Sequence, residues 1–220
     1  MCYSAPVSIL YFSIILIIIY YLFNRNQGND RWYAIIFLCV NFVQLGEYVI
    51  WKNLKNPKMN KLGSKIIKLA IYAQPLAIFL GGLYFGKINE KYKNIFKYLA
   101  YIYIVIFGIE FVNIILEKNS ILNIVTNNKY HLDWKGNLFN NNIFPVFIMT
   151  IMYTISFLFI NFDTNIKIGI MLTIYIYFIY FINFFNLKNN TWKSMWCFLG
   201  NLTPIVYLII TYKMGLKNKQ

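Results

Sequence analysis

At 220 residues the chain has room for one or two soluble domains, but 59% of its residues are apolar, 20% aromatic and only 13% charged, about half the charged share of a soluble domain. The formal charge of +14 does not make it a nucleic-acid binder. Counterion release needs a clustered basic array, and these lysines are spread over nearly every connection between apolar runs, where they serve as interfacial anchors and topology signals.

A spanning helix needs about 20 mainly apolar residues. On that template the chain divides into spans near residues 5–23, 33–51, 65–86, 95–116, 142–162, 165–185 and 195–214. The expectation is an all-α integral membrane bundle of seven transmembrane helices, a single domain over 1–220, in contact with the lipid bilayer and open to homo-oligomerisation. The first run starts almost at residue 5 with no basic segment before it, and is read as a retained helix rather than a cleaved signal. The segment Asn161-Phe-Asp163-Thr-Asn165 reads as a tight turn that makes spans five and six a hairpin. The longest connection, 117–141, carries Lys129-Tyr-His131-Leu-Asp133-Trp-Lys135. Lys and Arg are almost evenly divided between the two faces. Arg25 and Arg31, following a first helix with nothing basic ahead of it, favour an N-terminus outside or lumenal.

Ionisable groups inside a bilayer are costly and mark candidate sites. At 1.5 Å per residue, Glu47 in span two lies about 6 Å in from Trp51-Lys52, and Glu110 in span four about 10 Å in from Glu117-Lys118. Gln74 in span three lies about 9 Å from Lys68, and Cys197 in span seven about 6 Å from Lys193. All four depths are measured from the face that carries the N-terminus. Cys2, His131 and Asp133 belong to that face too, and Asn201 shares the helical stripe of Cys197. The candidate polar site is therefore Cys2, Glu47, Gln74, Glu110, His131, Asp133, Cys197 and Asn201.

Stripes support it: Asn41, Gln44, Glu47, Tyr48 and Trp51 follow i, i+3, i+4 spacing in span two, and Glu110 and Asn113 share a stripe in span four. Ala73, Ala77 and Gly81 form a small-residue ridge suited to close helix packing. Against a site stands a plainer role, in which interior Asn, Gln and Glu bridge helices by hydrogen bonds alone.

Several activities are excluded. No lysine lies in mid-span, so a retinal Schiff base has no anchor. The metalloprotease HExxH, paired haem histidines and Gly-rich nucleotide loops are absent. Two classes remain: a channel or transporter-like bundle with Glu47 and Glu110 lining a polar cavity on the N-terminal side, or a metal-dependent membrane enzyme. For the second, Cys2, Glu47, His131 and Cys197 are zinc ligands by type, with a second Glu as general base. No cofactor follows from the residues.

The opening Met1-Cys2-Tyr3-Ser4 resembles a family of multi-pass membrane proteins that begin Met-Cys-x-Ser, found in large DNA viruses of protists and in microbial relatives. Gln44-Leu-Gly-Glu47-Tyr-Val-Ile-Trp51, Gln74-Pro75, His131-Leu-Asp133-Trp134 and Trp196-Cys197 extend the likeness over most of the chain. The resemblance implies no activity, but it picks out Cys2, Glu47, Gln74 and His131.

Overall fold

A computed structural model describes residues 4–86, 88, 90–116, 151, 153–154, 156–158, 166–185 and 199–214. Among these residues all regular structure is helical. The elements are α1 (Ala5–Arg25), α2 (Asp30–Lys52), α3 (Pro57–Phe85), α4 (Glu90–Leu116), α5 (Ile166–Phe185) and α6 (Thr203–Lys213). The first four are long and apolar enough to cross a membrane. They coincide with the first four expected spans, and α5 with the sixth. Most of the fifth expected span, the 161–165 turn and the 117–141 connection lie outside the described residues.

The largest departure from the expected boundaries is at α3, which begins at Pro57 instead of near 65. Asn56 caps it, its side chain accepting a hydrogen bond from the Met59 N–H, and Pro57 fills the first turn, where a missing N–H costs nothing. The extra two turns are amphipathic: Lys58 is exposed while Asn60, Gly63 and Ser64 are buried. Between α1 and α2 the chain reverses in four residues, with Asn26 (φ 49°) and Gly28 (φ +56°) in the left-handed region. Gly28 takes that backbone without the Cβ penalty.

Neighbouring helices run antiparallel, and close contacts set their register. Gly46 of α2 meets Gly63 of α3 so tightly that a Cβ on Gly46 would lie 2.5 Å from Ile67 Cγ1 and 2.8 Å from the Gly63 carbonyl oxygen. At the other end of the pair, Trp32 lies against Gly81 and its Nε1–H donates to the Ile78 carbonyl at 2.9 Å. Val43, Ile50, Ile67 and Ala70 fill the seam between. Small residues let the two backbones approach, which is how helices gain packing energy where solvent supplies no drive. Of the expected ridge, Ala77 and Gly81 are buried and Gly63 adds a second close approach, while Ala73 is half-buried.

On the opposite side of α3, Phe79 packs against Phe96 and Tyr103 of α4. Ala100 and Ile114 of α4 are also buried, while Tyr98, Ile102, Val105, Ile109, Val112 and Leu116 are exposed. A core of Trp32, Tyr33, Phe37, Phe157, Leu172, Ile179 and Tyr207 joins α2, α5, α6 and the helical residues between 153 and 158.

Candidate functional site

Among the described residues, buried polar side chains cluster at the two opposite ends of α1 and α2, with Gln74 and Asn201 buried between them. The first is where the N-terminus of α1 meets the α2–α3 turn. Here Ser8, Asn41, Gln44, Glu47, Asn60 and Ser64 are each 2% exposed or less. Glu47 follows Gly46, so it sits beside the crossing of α2 and α3. Counting along each wheel from the Gly46–Gly63 contact, Glu47 of α2 and Asn60 and Ser64 of α3 turn to the same side of the seam. That side is the interior: further along α2 the same stripe carries Tyr33, which packs on Phe157 and Tyr207. Trp51 is one turn beyond Glu47 on that stripe.

Two of these side chains hold polar atoms that find no hydrogen-bond partner although they are sealed from solvent. They are both amide atoms of Asn60 and the indole Nε1 of Trp51. On the α1 side, Asn41 donates from Nδ2 to the Phe12 carbonyl at 3.0 Å, while its Oδ1 and the Ser8 hydroxyl oxygen are likewise unpartnered.

The other expected site residues divide into three groups. Cys2, His131, Asp133 and Cys197 lie outside the described residues. Gln74 is buried and accepts at Oε1 from the Tyr153 hydroxyl at 2.7 Å, so it bridges two helical segments. It stands three turns along α3 from Gly63, about 16 Å from the level of Glu47. The similar depths inferred from Lys68 and Lys52 do not hold, because α3 extends two turns beyond its hydropathic boundary. Asn201 is also buried. The adjacent Gly200 stands 4.0 Å from Val40, taken from its Cβ position, so Asn201 is level with the middle of α2.

Glu110 is half-buried and hydrogen-bonded to Tyr72. Tyr72 is on the face of α3 opposite Gly63 and nine residues further on, about 14 Å along the axis. The structure thus separates Glu47 and Glu110 by the width of α3, and its stripe partner Asn113 is exposed. Among the described residues no three His, Cys, Asp or Glu side chains gather as a metal-ligand set.

The second buried polar group was not anticipated. Asp30, the first residue of α2 and fully buried, accepts four hydrogen bonds. Arg25 donates from Nε to Oδ2 at 2.7 Å and from Nη2 to Oδ1 at 2.8 Å. The Gln27 N–H donates to Oδ2 at 2.9 Å and the Tyr207 hydroxyl to Oδ1 at 2.9 Å. Arg25 Nη2 also reaches Thr211 Oγ1 at 3.0 Å. The group ties the α1–α2 turn to α6, and every acceptor site on the carboxylate is engaged. An Arg and an Asp flanking a turn with Gly are the signal for it. In sequence Arg25 reads as a topology charge, because Tyr207 and Thr211 are 177 residues from Asp30 and 186 from Arg25. No protein-family model matches the chain, and no curated protein or solved structure does so either.

Proposed function

We propose that the chain is an integral membrane protein of channel or transporter type, a seven-helix bundle whose polar site centres on Glu47 in the N-terminal-side half. The observation that carries this reading is a fully buried carboxylate amid buried amides and hydroxyls on helices otherwise built for hydrocarbon. A lipid-facing acid on a spanning helix costs up to about 2.5–3.5 kcal/mol, the value at the helix centre on the lenient insertion scale. Such residues mark ion and proton pathways when they face a bundle interior, as the stripe of Glu47 does. Membership of the Met-Cys-x-Ser family belongs to the same proposal and rests on the motifs around Cys2, Glu47, Gln74 and His131.

The test is ion flux. Proteoliposomes holding the wild-type chain should pass protons or small inorganic ions faster than empty vesicles, and Glu47→Gln should lower that flux about tenfold or more, the worth of a hydrogen bond to a charged group. Flux equal to that of empty vesicles, or unchanged by Glu47→Gln in protein shown to be folded, refutes the reading.

A further inference from the structure

The transport reading leaves open what the site holds, and the unpartnered atoms narrow it. Burying a polar group without a partner costs about 1–3 kcal/mol. Asn60 leaves both ends of its amide in that state, and Trp51 its indole N–H. Each is at the α2–α3 seam near the level of Glu47, by the register that Gly46 and Gly63 set. Together they present one acceptor oxygen (Asn60 Oδ1) and two donors (Asn60 Nδ2 and Trp51 Nε1), next to a carboxylate.

That set discriminates between ligand classes. An anion would satisfy the donors but meet the negative charge of Glu47. A wholly apolar occupant would leave all three atoms as they are. A small cation with part of its water shell can satisfy all three: oxygens of Glu47 and Asn60 contact the ion, and two of its waters, each with one lone pair left, accept one from Asn60 Nδ2 and one from Trp51 Nε1. A carboxylate offers about four acceptor sites, so it can meet an ion and other partners at once. Among the described residues no second acid lies at this level, since Asp30 and Glu90 are at the far end and Glu110 is across α3. One negative charge balances a monovalent ion and leaves a divalent one uncompensated in low dielectric. Lys52, Lys55 and Lys58 near the α2–α3 turn are exposed, where solvent and salt screen their charge.

We propose that the buried polar group at the α2–α3 seam binds one small, partly hydrated monovalent cation through Glu47 and Asn60, with Trp51 holding one of its waters. This rests on the transport reading for its purpose but not for its test. Purified full-length protein in nanodiscs is titrated with NaCl or KCl against choline chloride at constant ionic strength, and thermal unfolding is followed. One of the two salts should raise Tm saturably. Glu47→Gln and Asn60→Leu should each weaken the apparent affinity about tenfold or more. Thr211→Ala, at the opposite end of the helices, should lower Tm but keep the cation response. The proposal fails if neither salt raises Tm beyond choline chloride, or if the response survives both Glu47→Gln and Asn60→Leu. A cation response in protein that passes no ion in vesicles would retain this site and overturn transport. Flux that depends on Glu47, with no response to sodium or potassium, would retain transport and overturn this site.

Discussion

Replacing Asp30 by Asn keeps the shape of the side chain and reverses its chemistry. Asp30 offers two oxygens to four donors, two on each: Arg25 Nε and Gln27 N–H on Oδ2, Arg25 Nη2 and the Tyr207 hydroxyl on Oδ1. Whichever way an Asn amide is turned, its NH2 faces two of those donors. The Arg25 guanidinium, with its side chain only 12% exposed, also loses its counter-charge. Breaking a buried pair from one side costs about 3–5 kcal/mol. Tyr207→Phe removes a hydrogen bond to the carboxylate and Thr211→Ala one from the guanidinium, each about 1.5–3 kcal/mol. Asp30→Asn is expected to destabilise more than either. Unfolding by SDS in mixed micelles, followed by far-UV circular dichroism, reads it directly. Replacing the pair as Arg25→Met with Asp30→Leu should cost less than Asp30→Asn alone, because removing both charges leaves none buried and unpaired. Asp30→Asn as stable as wild type, or less costly than Tyr207→Phe, would refute the account of this group as the lock between the α1–α2 turn and α6.

Gly63→Ala should destabilise by about 1–3 kcal/mol through overpacking, since its Cβ would lie 2.7 Å from the Gly46 carbonyl oxygen; the same SDS titration measures it, and a neutral result would mean the two backbones are further apart. Tags at residues 1 and 220 should be accessible from opposite sides of the membrane in protease protection, as an odd number of spans requires, and same-side labelling would rule out seven.

Hydropathy located α1 to α4 because each carries an apolar run of membrane length, and that signal needs no tertiary context. It misplaced the start of α3 because it scores lysines as boundary. Lys58 is on the outward side of a turn whose inward side is Asn60, Gly63 and Ser64, so the helix continues where mean hydropathy falls. This single error brought Gln74 to the depth of Glu47 and left Asn60 in a loop. The stripe of Asn41, Gln44 and Glu47 was legible, being periodic within one helix, and all three are buried. The pairing of Glu47 with Glu110 depended on which face of α3 each neighbour takes. No periodicity within α2 or α4 contains that information; the contacts of Gly63 on one side and Tyr72 and Phe79 on the other supply it. The Arg25–Asp30 group was hidden for the same reason, since Tyr207 and Thr211 are brought to it only by the packing of α6.

The two buried polar groups show how structural and functional polarity separate on one scaffold. Both are on α2, both hold an acid with no solvent exposure, and composition treats them alike. At Asp30 two oxygens meet four donors and the accounting closes. A satisfied network of that kind rigidifies what it joins, and it offers a ligand nothing. At the other end Asn60 and Trp51 keep polar atoms buried and unmatched by protein. A fold gains nothing from that arrangement: an apolar side chain of similar size at residue 60 would remove the desolvation cost and fill the same space. In the cation reading, the ion and its waters complete that amide. The two ends should accordingly respond in opposite ways to substitution. Changes around Asp30 act on stability and leave ion dependence intact, whereas Asn60→Leu acts on ion dependence, and in an ion-free medium it should be no less stable than wild type.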